Sequence, residues 1–112
     1  MAEKNLQELM DFIGAHWKFT SENYTGFSEL SGHHKALFPL KHSILHINKS
    51  VGYLSTEAEK ADHGDEADTR KLEIATAKLL ATTLNLAKHL GMSAEQLEDM
   101  VRQAVEGKLS NR

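Results

Sequence analysis

The chain contains no cysteine and one proline, Pro39, among its 112 residues. The absence of cysteine excludes disulfides, thiolate zinc sites and cysteine nucleophiles. No apolar run approaches the roughly 20 residues that cross a membrane. The first ten residues also lack the apolar centre of a signal peptide, so we expect a cytoplasmic protein with no membrane contact.

Catalytic signatures are also missing. The sequence has no Gly-x-Ser-x-Gly pattern, which argues against a charge-relay hydrolase, and no glycine-rich loop of the type that cradles phosphates. With 13 basic and 16 acidic residues, the net charge of −3 gives no general attraction to DNA. A length of 112 residues predicts one domain, 1–112. Seven histidines are an unusually large number for this length.

Hydrophobic periodicity predicts an all-α protein, because apolar residues recur at helical spacing and no alternating β-branched run occurs. Pro39 suits the first turn of a helix, Gly91 suits the position after a helix end, and Ser93 opens a capping box. We therefore expect a four-helix, bundle-like fold. Its predicted segments are a first helix over 3–17, an irregular segment over 17–37, long helices over 38–60 and 66–90, and a C-terminal helix over 93–106.

The helix predicted over 38–60 carries two stripes on roughly opposite faces. The apolar stripe should pack a core. The polar stripe combines imidazole, ammonium and phenol groups. The apolar stripe consists of Leu40, Ile44, Ile47, Val51 and Leu54, and the polar stripe of His42, His46, Lys49 and Tyr53.

Three interpretations of the polar stripe remain open. It is a solvated helix face, or it binds an anion through Lys49 and the histidines with Tyr53 on a base. In the third, His42 and His46, four residues apart, hold a metal ion with His63 or Asp62 as a further ligand.

The segment between the first two helices mixes aromatic with polar residues. Its aromatics can sandwich a nucleobase while its basic end meets phosphates, or they can fasten a loop over a small core. A segment of this kind is also suited to form a lid. The residues concerned are Trp17, Phe19, Tyr24 and Phe27, followed by His33, His34 and Lys35.

An acidic stretch surrounds His63. It is either a charged loop preceding a helix or a source of metal-binding carboxylates, although its spacing does not match an EF-hand. Its acidic members are Glu57, Glu59, Asp62, Asp65, Glu66 and Asp68, and the metal candidates among these residues are Glu57, Asp62 and His63.

Residues 84–97, which read LNLAKHLGMSAEQL, and residues 51–54, which read VGYL, resemble parts of the MazG-like, all-α nucleoside triphosphate pyrophosphohydrolases. The resemblance covers about residues 38–112. It implies a four-helix MazG-like architecture. In that family, carboxylates on the two long helices hold Mg²⁺ against a triphosphate, as expected for a hard cation.

The resemblance places Lys49, Ser50 and Tyr53 on the first long helix at the family's ligand positions, with Ala75 and Lys78 near those of the second. None is a carboxylate, so no family metal ligand carries over and no catalytic residue is assigned. The resemblance therefore implies a catalytically degenerate domain that binds a nucleotide or another phosphorylated small molecule, for example to sequester a signalling nucleotide.

Two other functions remain open. One is a divergent, Mg²⁺-dependent pyrophosphohydrolase that uses Glu57, Asp62 or Glu73. The other is a protein-interaction module without a small-molecule ligand. The leucines Leu72, Leu79 and Leu86, which repeat every seven residues, form either an oligomer surface or internal core. We expect a homo-oligomer, since short helical domains often complete their core in this way.

Overall fold

A computed structural model describes residues 5–18 and 31–110 of the chain. Over these ranges the protein is all-α and bundle-like, which confirms the predicted fold class. The helices are α1 (Leu6–His16), α2 (Gly32–Asp62), α3 (Thr69–His89) and α4 (Ala94–Val105). None of these helices combines the length and hydropathy that crossing a membrane requires.

Side-chain caps and one glycine mark the ends of α3 and the start of α4, as predicted at Gly91 and Ser93. The Asp68 side chain accepts a hydrogen bond from the Lys71 amide at 3.2 Å and begins α3. Ser93 does the same for α4, accepting from the Gln96 amide at 3.1 Å. After α3, Gly91 adopts φ +78°, a left-handed conformation that favours glycine.

Helix α2 begins earlier than predicted, at Gly32 rather than at residue 38, so residues 32–37 are helical rather than irregular. The Ser31 side chain accepts from the His34 amide at 3.3 Å and caps this earlier start. Pro39 therefore lies inside α2, where it removes one backbone donor, instead of in the first turn. Phe19, Tyr24 and Phe27, with the predicted lid, lie outside the described residues.

The apolar core lies where α1, α3 and α4 meet. Met10 and Ile13 of α1 pack with Leu84 and Ala87 of α3 and with Ala94 at the start of α4. Burial of such side chains is the main favourable contribution to folding. The C-terminal half of α3 therefore anchors α1 and the start of α4.

Two polar contacts fix the position of α1. The Gln7 side-chain oxygen accepts from the Ala94 amide at 3.1 Å, which satisfies a donor in the first turn of α4. The Lys88 ammonium lies 2.9 Å from an Asp11 carboxylate oxygen and bonds α3 to α1. This ion pair, together with Gln7, lowers the pKa of the Asp11 carboxyl.

The helical hairpin of α2 and α3 is packed through polar residues. The buried residues of α2 are Ser43, Ser50 and Glu57, at intervals of seven. The predicted core stripe is wrong for Ile44 and Val51, whose exposed fractions are 50% and 44%. Helix α2 is thus rotated so that its polar side faces α3.

Candidate functional site

A cavity of about 360 Å³ lies between α2 and α3. We call it the hairpin cavity. Six of its residues come from α2, three from α3, and one directly follows α1. They are Trp17; His42, Ser43, His46, Lys49, Ser50 and Tyr53; and Lys78, Thr82 and Asn85. The volume is within the range of small-molecule sites, about 300–1,000 Å³.

The cavity contains all four residues of the predicted polar stripe, together with Trp17. His42 is half-buried, whereas His46, Lys49 and Tyr53 are exposed, so the stripe borders a concave space that is open to solvent and the solvated-face interpretation remains open. His33, His34 and Lys35 belong to the first turn of α2 and do not line the cavity. His34 instead lies with its Nδ1 2.9 Å from the Ser31 hydroxyl oxygen, next to the helix cap.

His42 and His46 touch through their ring nitrogens. The two Nε2 atoms are 2.9 Å apart, one helical turn along α2, and the rings are tilted by 53°. Because one nitrogen must donate and the other accept, the contact holds a single proton between the two rings. His42 also stacks on Phe38, with ring centroids 5.5 Å apart.

The pKa of His42 is lowered from its ordinary value. Burial is the larger cause, since it disfavours the charged imidazolium, and the neighbouring His46 acts in the same direction. His42 therefore favours the neutral imidazole, which presents a lone pair to a proton donor or a metal ion.

The charge of the cavity is positive. Lys49 approaches from α2 and Lys78 from α3, and no carboxylate is among the lining residues that the structure describes. Neither lysine forms an ion pair within residues 5–18 and 31–110. Lysines from two helices thus line one concave space, a suitable arrangement for an anion.

Two buried polar atoms in the cavity wall lack hydrogen-bond partners among the described residues. They are Oγ of Ser43 and Oδ1 of Asn85, in side chains that are each 2% exposed. An unsatisfied buried polar group costs about 1–3 kcal/mol, and native proteins contain few. A ligand that donates to Asn85 would remove this cost.

Five residues that line the cavity were not among the predicted ligand contacts, although the resemblance placed two of them, Ser50 and Lys78, at or near family ligand positions; the five are Ser43, Ser50, Lys78, Thr82 and Asn85. A signal was present on α2, where Ser43, Ser50 and Glu57 recur every seven residues. The five-residue apolar stripe beside it is a stronger pattern by periodicity alone.

The predicted metal candidates do not join this site. Glu57 is buried elsewhere, where it accepts from the Asp68 amide and from Lys60. Asp62 ends α2, 16 residues after His46 and thus about 24 Å further along the helix. Asp62 and His63 are therefore too far away to complete a site with His42 and His46. Across the described ranges, no cluster of three or more histidine or acidic side chains is arranged to hold a metal ion.

Comparisons of the chain with protein-family models, with curated proteins and with solved structures find no match.

Proposed function

We propose that the hairpin cavity binds a phosphorylated small molecule, with a nucleotide as the best candidate. The observation that carries this proposal is the charge of the cavity. Lys49 and Lys78 face one space that no described carboxylate lines. A phosphate group supplies the negative charge and the hydrogen-bond acceptors that two ammonium groups require.

The lining residues divide into three roles. Lys49 and Lys78 bind the phosphate from two helices. Tyr53 and Trp17, both substantially exposed, present aromatic faces on which a base can stack. Asn85 accepts a hydrogen bond from a polar edge of the ligand. Anionic, aromatic and hydrogen-bond-donating features occur together in a nucleotide.

The sequence resemblance supports the same location. The positions at which the MazG-like family keeps metal-binding carboxylates correspond here to Lys49, Ser50 and Tyr53, and Lys78 lies near another. All four residues line the cavity. On this proposal, lysines occupy the cleft in which a related hydrolase has carboxylates. The cleft then sequesters a nucleotide in the cytoplasm without cleaving it.

The test is calorimetric titration of the full chain with inorganic phosphate, pyrophosphate and a panel of nucleotides. We expect saturable binding that weakens about 10-fold or more in Lys49→Ala and in Lys78→Ala, a loss of about 1.4 kcal/mol. Lys41→Ala is the matched control, because Lys41 is an exposed lysine of α2 outside the cavity. Equal weakening in the control, or no binding by any compound, would overturn the proposal.

The enzyme alternative makes a different prediction. A divergent pyrophosphohydrolase would release pyrophosphate from a triphosphate with Mg²⁺ or Mn²⁺, and Glu57→Gln or Asp62→Asn would abolish turnover. The described cavity offers no carboxylate for a hard cation, so we expect binding without turnover. Pyrophosphate release that depends on either residue would favour the enzyme.

We also propose that the chain forms a homo-oligomer through the outer face of α2. None of the five aliphatic residues lines the cavity. Ile44 and Val51 are substantially exposed, and Leu40, Ile47 and Leu54 are half-buried. A second copy running antiparallel about Ile47 would place Leu40 against Leu54, so the stripe is complementary to itself. An interaction module without ligand would instead place a different protein on this face.

A further inference from the structure

The contact between His42 and His46 has the dimensions of a chelate. Their Nε2 atoms are 2.9 Å apart. Transition-metal ions bind imidazole nitrogen at about 2.0–2.1 Å. Two nitrogens on one ion are then about 2.9 Å apart at a right angle and about 3.3 Å apart at the tetrahedral angle. The observed separation corresponds to adjacent positions of a square-planar or octahedral ion.

We propose that His42 and His46 form a two-imidazole site for Cu²⁺ or Ni²⁺, in which the ion replaces the proton held between the rings. Imidazole is a preferred ligand of both ions, and both favour right-angled positions. Helical spacing supports the same conclusion, because residues four apart lie on one face, one turn from each other.

The open positions of the ion face the hairpin cavity, because both histidines line it. No third histidine or acidic ligand is grouped with them in the described ranges. Water therefore completes the coordination in the absence of a ligand. When the proposed phosphorylated ligand is present, one of its oxygens takes a water's place. This last step rests on the proposed function, whereas the two-histidine site does not.

Lys49 and Lys78 give the site a distinguishing property. These ammonium groups line the same cavity and oppose the entry of a divalent cation. A bound phosphate neutralises part of their charge. Metal and anion should therefore strengthen each other's binding, and the factor must be the same in both directions.

The test uses tag-free full chain, freed of metal by a chelator and titrated with Cu²⁺ alone. We expect one equivalent to bind, with nitrogen coupling in the electron paramagnetic resonance spectrum. Affinity should fall about 10-fold or more in His46→Ala and in His42→Asn. Circular dichroism checks that each variant remains helical, and using two variants guards against one failing to fold.

His33→Ala is the matched control. His33 lies on the same helix beside His34, but the two rings are adjacent in sequence rather than one turn apart. Unchanged affinity in this control, with loss in the other two variants, supports the site. Absence of a one-equivalent binding event, or equal loss in the control, overturns it.

A second titration, with inorganic phosphate in the presence and absence of Ni²⁺, separates this inference from the proposed function. Metal binding without phosphate binding would reject the phosphate proposal and retain the histidine site. Phosphate binding without metal binding would reject the histidine site and retain the phosphate proposal.

Discussion

The Glu57 carboxylate accepts a hydrogen bond from the Asp68 backbone amide at 2.8 Å, across the turn that joins α2 to α3. Its second oxygen lies 2.9 Å from the Lys60 ammonium. Glu57 is buried, and both of its carboxylate oxygens are engaged in these contacts. We call this pair of contacts, which holds the α2–α3 turn together, the Glu57 clamp. The Lys60 contact, followed by the Asp68 amide, lowers the pKa of the Glu57 carboxyl.

This clamp predicts a pH dependence of stability. Because the folded pKa lies below the unfolded value of about 4.3, Glu57 stabilises the fold above that pH. The contribution disappears as the pH falls through the folded pKa. Glu57→Gln should therefore lower the melting temperature at pH 7, and the difference from wild type should shrink on acidification below about pH 4.

Thermal melts followed by circular dichroism from pH 3 to pH 8 measure this effect. Glu59→Gln is the control, because Glu59 is exposed on the same helix. A difference between wild type and Glu57→Gln that does not change with pH would contradict the electrostatic explanation.

The core shared by α1, α3 and α4 predicts a contrast between two leucines of α3. Leu84 is 4% exposed and Leu80 is 55% exposed. Leu84→Ala should lower the free energy of unfolding by about 2–5 kcal/mol, the usual cost of a cavity in a core. Urea denaturation measures both variants. Equal losses for Leu84→Ala and Leu80→Ala would contradict this assignment of the core.

Local signals in the sequence were sufficient to predict that the elements are α-helices and to locate most of the helix ends to within a few residues. Gly91 and Ser93 act as predicted because a left-handed turn and a side-chain cap depend on a few neighbouring residues. Pro39 misled the prediction of the α2 start. Proline is favoured in a first turn but also occurs further along a helix. The Ser31 cap begins α2 at Gly32, about two turns before Pro39.

The rotation of α2 could not be predicted from local pattern. Five aliphatic residues on one face indicated a core, yet Ser43 and Ser50 are the residues turned towards α3. Periodicity identifies the two faces of a helix but not which partner covers each. The polar stripe, predicted as the candidate site, lines the cavity, whereas Lys78 and Asn85 come from a helix whose distance from the stripe the sequence does not give.

We expect a charge on the outer face of α2, which carries the aliphatic stripe, to change the oligomeric state. Ile44→Glu places a charge in the middle of the aliphatic stripe, where a second copy would bury it without a partner. We expect the variant to shift from oligomer to monomer in sedimentation velocity. Leu45→Glu is the control, since Leu45 is 65% exposed and lies outside the stripe. Wild-type protein that sediments as a monomer at all concentrations would contradict the oligomer.

Ser43 predicts opposite effects on stability and on binding. Its buried hydroxyl has no hydrogen-bond partner among the described residues, so Ser43→Ala removes an unsatisfied group and almost no volume. Stability should remain unchanged or rise by up to about 1 kcal/mol. Nucleotide binding should weaken, because the same hydroxyl is then unavailable to the ligand. A gain in stability with a loss of binding is expected where a polar group is kept for function.

Urea denaturation and calorimetric titration, performed on the same protein preparation, measure the two effects of Ser43→Ala. Ser55→Ala supplies the control, because Ser55 is an exposed serine of the same helix that does not line the cavity. If Ser43→Ala binds the nucleotide as tightly as wild type, the ligand does not reach this wall. If it destabilises the fold by several kcal/mol, the hydroxyl has a structural partner and the cavity wall is satisfied without a ligand.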